Sequence, residues 1–196
     1  MSELYLYHYY EAEHGPFRSL SALSEEEAAR VMQELKRQGA AFAGKRPDDY
    51  MTVRRQLEQK ARDLFIRKGG RPAKPYPHYM TLGECNWIRQ WYVDGRLLRV
   101  RLDEVDPLSI SFTYGDLFPT MRYADGKPYR QQVYVKREMM ELIGQYGWPQ
   151  QWNADGANGP ERYIEAQIWD DRILDLLVSR RVCGGDGQTI DEGERA

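Results

Sequence analysis

Residues 75–116 read PYPHYMTLGECNWIRQWYVDGRLLRVRLDEVDPLSISFTYGD, and their pattern decides the fold. After a proline-punctuated approach, HYMTL sets His78, Met80 and Leu82 against Tyr79 and Thr81, the period of two that marks a strand. ECNWIRQWY has room for about two helical turns. Leu98, Val100 and Leu102 then alternate with Arg99, Arg101 and Asp103. Leu108, Ile110, Phe112 and Tyr114 alternate with Ser109, Ser111 and Thr113. Both runs predict half-buried strands, and Gly115-Asp116 ends the second.

Working outward, ELYLYHYY at 3–10 predicts a first strand, with Leu4, Leu6, His8 and Tyr10 on one face and Tyr5, Tyr7 and Tyr9 on the other. SEEEAARVMQELKRQG opens on a capping box, Ser24 with Glu27, and carries an apolar stripe of Ala28, Val31, Met32 and Leu35; Gly39 is placed to end that helix. Pro47, Asp48 and Asp49 open a second helix running to about Lys68, with Tyr50, Val53, Leu57, Ala61, Leu64 and Phe65 on its apolar face. Beyond the central stretch come a turn at ADGKP, a strand YRQQVYV, a helix REMMELIGQY, a loop QQWNADGANGPE, a strand RYIEAQIW and a short helix RILDLLVSR. The predicted class is α+β, with a single domain over 1–182. Its mostly antiparallel or mixed sheet has about six strands and three to four flanking helices. A flexible, mostly acidic tail is expected over 183–196.

Composition narrows the function classes. A formal net charge of −2 gives the whole molecule no electrostatic footprint for nucleic acid or an anionic membrane. No stretch approaches the apolar length that spans a bilayer, and the N-terminus has no signal-peptide pattern, so a cytoplasmic location is the expectation. Cys85 and Cys183 form no disulfide framework. With His8, His14 and His78 they show no metal-ligand spacing, and no metal is expected. One local exception to the charge balance stands out. From Arg54 to Lys74 eight basic residues face Glu58 and Asp63, a local 8 − 2 = +6. A solvated helix face and a site for phosphate or nucleic acid are both open readings of this run.

No GxSxG, GxGxxG or P-loop pattern occurs, and nothing around Cys85 marks it as a nucleophile. Three strands carry a polar residue within a packable run: His8 in LYLYHYY, Tyr79 in PHYMT and Glu165 in YIEAQIW. A hydrogen-bonded core histidine accounts for His8 considered alone. Glu165 is open to two settings, an exposed face or a cleft.

In order along the chain, LYHY with its His, a helix, PHYMT with its Tyr, a short helix, LLRVRLD, then IEAQIW with its Glu and DDRIL resemble the ADP-ribosyltransferase fold in its His-Tyr-Glu branch. The resemblance covers residues 4–10, 76–103 and 162–174, and its motifs are short. The basic helix and GQYGWP have no counterpart in it. It implies NAD as substrate and an unknown macromolecular acceptor, with nucleic acid reached through the basic helix 54–74. It implies that His8 bonds a ribose, that Tyr79 stacks on nicotinamide (Tyr114 in SFTYGD competes for this role), and that Arg18 or Arg71 answers the pyrophosphate. Glu165 would be the catalytic carboxylate, favouring positive charge on the anomeric carbon as the glycosidic bond breaks. A non-catalytic interaction protein on an α+β scaffold is the alternative, suited to a chain with fourteen Tyr and five Trp. Only the enzyme needs His8, Tyr79 and Glu165 to converge on one cleft, and His8 and Glu165 on opposite sides of the sheet would count against it.

Overall fold

The computed structural model describes residues 3–37 and 46–176. Five strands form one antiparallel sheet: β1 (Tyr5–Glu11), β2 (His78–Leu82), β3 (Gly95–Arg101), β4 (Ile110–Tyr114) and β5 (Ile164–Ile168), in the order β3-β1-β2-β5-β4. The helices that accompany them are α1 (Glu25–Arg37), α2 (Tyr50–Arg67), α3 (Asn86–Arg89), α4 (Leu117–Arg122), α5 (Lys136–Tyr146) and α6 (Pro149–Trp152). The chain is again helical from Arg172 to Leu176; the rest of that expected helix, Gly39 and the 183–196 tail lie outside the described residues.

The α+β class therefore holds, with five strands rather than about six and more helical segments than expected. The missing strand is YRQQVYV. Its Gln131 takes a left-handed φ of 55°, which breaks an extended run. Only Tyr134 reaches the sheet edge, exchanging two 2.8 Å backbone hydrogen bonds with Phe112. Tyr129 packs with Tyr114 while Val133 joins a different cluster beside α2, so the segment wraps over the edge of β4 instead of extending the sheet.

Alternation divides the sheet into two faces. One carries Leu6, Val100, Met80, Leu82, Ile110, Phe112, Tyr114, Ile164, Ala166 and Ile168, and α5 covers it with Met139 and Ile143. The other carries Tyr7, Tyr79, Thr81, Ser111, Thr113, Glu165, Gln167 and Trp169 in the same registers. Leu57, Ala61 and Phe65 of α2 pack with Leu117 and Met121 of α4 around Trp169. α3 brings Ile88, with Trp87 beside it, onto Tyr9 and Tyr163. Each fully buried aliphatic or aromatic side chain contributes roughly 1.5–3 kcal/mol, so β5, buried on both faces, is the centre of the packing.

The seam between β1 and β2 differs from the others. β1 pairs with β3 through all seven of its residues but with β2 only at Leu6↔Leu82 and Tyr7↔Thr81. Beyond that point the imidazole of His8 supplies the link, its Nδ1 donating to the Tyr79 carbonyl at 2.9 Å.

Candidate active site on the sheet face opposite the aliphatic core

A chain of polar side chains runs along the second face and ends on Glu165. Trp169 Nε1 donates to Ser111 Oγ (2.9 Å), and Ser111 Oγ donates to Gln167 Oε1 (3.0 Å). Gln167 Nε2 then donates to Thr113 Oγ1 (3.0 Å) and to Glu165 Oε1 (3.1 Å). This chain fixes the amide orientation of Gln167, so Glu165 receives a donor rather than a competing acceptor. The Leu117 N–H adds a second hydrogen bond to Glu165 Oε1 at 3.2 Å.

The other oxygen of Glu165 faces a second carboxylate through one hydroxyl. Tyr163 OH lies 2.9 Å from Asp116 Oδ2 and 3.3 Å from Glu165 Oε2. Asp116 is itself fixed as the N-cap of α4, accepting from the Phe118 N–H at 2.8 Å. Gly115, whose φ of 110° suits a residue without a side chain, makes the turn that places Asp116 there. Burial, reinforced by the Asp116 charge, holds the Glu165 carboxyl well above the ordinary carboxylate range, while Gln167, Arg54 and the Leu117 amide pull the other way. Tyr163 thus lies between the Glu165 and Asp116 carboxyls.

Beside this pair lies a second buried set. Glu58, 2 % exposed, accepts at Oε1 from Ser21 Oγ (2.9 Å), Arg54 Nε (2.9 Å) and Tyr79 OH (2.7 Å). Arg54 also donates to Tyr50 OH (3.0 Å), and its guanidinium lies 4.9 Å over the Tyr79 ring. One positive charge is therefore anchored close enough to act on Glu165. Around these groups stand the half-buried Tyr7, Trp87 and Trp91, with the Arg162 guanidinium 3.8 Å over Trp87.

The residues expected from the sequence separate into two sets. Tyr79 and Glu165 share a face, one strand apart in adjacent rows of the sheet: Tyr79 lies opposite Gln167, and Glu165 opposite Thr81. His8 does not join them. It lies on the face of Leu6, with Nε2 accepting from the Phe17 N–H (2.8 Å) and its ring stacked on Phe17 at 4.0 Å. Both nitrogens are used internally, and burial lowers its pKa to about 4, so it is a neutral histidine closing the β1–β2 seam. Tyr114 is fully buried on that same aliphatic face, donating to the carbonyls of Tyr146 and Gly147. Arg18 is exposed and bonds the His14 carbonyl. Arg71, also exposed, sits by Leu108 at the far end of β4.

The basic run has a structural account too. Arg54 pairs with Glu58, Arg55 with Glu25 and the Leu23 carbonyl, and Lys60 with Gln131. Arg62 holds the carbonyls of Pro72 and Lys74, Lys68 pairs with Glu138, and Lys74 with Asp171. These six cations make internal bonds, while Arg67 and Arg71 stand exposed. Sequence reasoning missed Asp116, Tyr163, Glu58 and Arg54 as site residues. Only the Arg54/Glu58 spacing of four and the Gly115-Asp116 capping position were there to point to them.

Among the described residues no group of three or more His, Cys, Asp or Glu side chains is arranged to hold a metal ion, and no helix is long and apolar enough to cross a membrane. Comparison with protein-family models, with curated proteins and with solved structures finds no match.

Proposed function

We propose that the chain is an enzyme of the ADP-ribosyltransferase class, which breaks the nicotinamide–ribose bond of NAD and passes the ADP-ribosyl group to an acceptor. The observation that carries this reading is the placement of Glu165: 7 % exposed, held by two donors on one oxygen and linked on the other through Tyr163 to Asp116. When the C–N bond breaks, nicotinamide leaves with the bonding electron pair and positive charge spreads over the anomeric carbon and ring oxygen. A carboxylate at that centre favours the transition state over the ground state. The nicotinamide ring of NAD is cationic, and its arrival beside Glu165 favours the ionised form. The proton then has a route through Tyr163 toward Asp116. The ionised Glu165 then takes the proton that the acceptor nucleophile gives up, and the proton passed toward Asp116 leaves to solvent, so that one proton is released per turnover.

The convergence of His8, Tyr79 and Glu165 that the resemblance implied does not occur, because His8 lies on the opposite face. This counts against the reading, which rests on Glu165, with Tyr79 acting by holding Arg54 and Glu58. The alternative, a non-catalytic binding protein, draws on the extent to which Arg54, Glu58 and His8 are already satisfied internally. Calorimetric titration with NAD separates the two. The enzyme reading expects binding by wild type and by Glu165→Gln, with free nicotinamide appearing only in the wild-type cell. Absence of binding by either protein at millimolar NAD contradicts it.

A further inference from the structure

A cavity of about 240 Å³ opens beside the site and is lined by Arg46, Pro47, Tyr50, Val53, Phe118 and Arg122, with Asp49 at its edge. Its lining combines an aromatic stack with two guanidiniums. Tyr50 and Phe118 stack face to face, centroids 5.0 Å apart with planes 5° from parallel. Arg46 lies 4.5 Å over the Tyr50 ring. Among the described residues neither Arg46 nor Arg122 has a carboxylate partner, whereas most of the cations of α2 are consumed by internal bonds. Two guanidiniums without a carboxylate partner among the described residues, set beside an aromatic stack, are the elements that bind a phosphate and a flat ring together.

We propose that this pocket binds the phosphate and base of a nucleotide, the two guanidiniums meeting the phosphate while the base extends the Phe118–Tyr50 stack. Aliphatic and peptide acids offer the charge but not the ring; the Asp49 carboxylate at the edge repels a phosphate, so the two guanidiniums must outweigh it. The proposal stands apart from the NAD reading, because it concerns binding only. The pocket nonetheless abuts the site: Phe118 follows Leu117, whose N–H holds Glu165, and Tyr50 is bonded to Arg54.

The test is fluorescence anisotropy with a labelled single-stranded twelve-nucleotide oligothymidylate, at low and moderate salt, with unlabelled AMP and inorganic phosphate as competitors. Arg46→Ala/Arg122→Ala removes a half-buried and an exposed side chain, neither with a carboxylate partner among the described residues, and is checked for folding by its thermal transition. It is expected to weaken the strand at least tenfold and to reduce the salt slope by about 0.7 for each phosphate that is no longer neutralised. Phe118→Ala weakens it further. Displacement by AMP at micromolar concentration identifies a free nucleotide as the natural ligand. Displacement only by longer strands identifies a nucleic acid. Equal strand binding by wild type and the double variant, no binding of either probe, or displacement by inorganic phosphate as effective as by AMP overturns the proposal.

Discussion

Replacing Glu58 by Leu tests how the site is held together. Glu58 accepts three hydrogen bonds at one oxygen, and its partner Arg54 has a side chain only 14 % exposed. Removing the carboxylate leaves the guanidinium buried without its counter-charge, a loss that typically costs about 3–5 kcal/mol. Unfolding entropy of about 2.1 cal/mol/K per residue amounts to roughly 0.4 kcal/mol/K for a chain of this length, so Tm should fall by about 7–12 °C. A companion variant, Arg54→Met/Glu58→Leu, removes both charges and fills the space with apolar atoms. It should recover at least half of the lost stability, because the desolvation cost goes with the pair. Differential scanning calorimetry on both proteins reads the result. A single variant within 2 °C of wild type, or a double variant as unstable as the single, refutes the reasoning.

Three further perturbations follow from the same geometry. His8 has a folded pKa of about 4 against 6.5 unfolded, so the unfolded chain binds the extra proton between these values. Stability should fall as pH drops from 6.5 toward 4, by up to about 3 kcal/mol and by less where solvent reaches the ring, and His8→Phe should flatten that slope in urea titrations. Glu165 has its folded pKa raised, so the folded chain holds the extra proton above 4.5 and stability is lost as pH rises through that window. Glu165→Gln should therefore raise Tm at pH 7.5 while removing activity, and a lowered Tm would count against a strained catalytic carboxylate. Gly115→Ala places a Cβ 3.2 Å from Thr120 Oγ1 at a φ of 110°. It should cost about 1–3 kcal/mol in chemical denaturation and displace Asp116 from its cap.

Much of the fold was legible because it rests on local periodicity. HYMTL, the strand before Leu102, SFTY and IEAQI all appear where alternation placed them, and the Ser24–Glu27 box forms as spaced, with Ser24 N donating to Glu27 Oε2 at 3.0 Å and Glu27 N to Ser24 Oγ at 3.2 Å. YRQQVYV misled because its alternation serves two different clusters rather than two faces of one strand. The site was half legible. Period two does place Tyr79 and Glu165 on a common face once the β2–β5 register is known, and the same rule puts His8 on the other. That register is a long-range property which no window of sequence contains. Arg54 looked like one cation in a basic run because its burial depends on Tyr79 and Ser21, each distant in the chain.

The most direct measurement is the rate of nicotinamide release from NAD by wild type, Glu165→Gln and His8→Phe side by side, each checked for folding by its thermal transition. The account predicts release by wild type, a loss of a hundredfold or more in Glu165→Gln, and retention within a few-fold in His8→Phe, since His8 lies on the opposite face. Equal rates for wild type and Glu165→Gln, or no release by any of the three, contradict it.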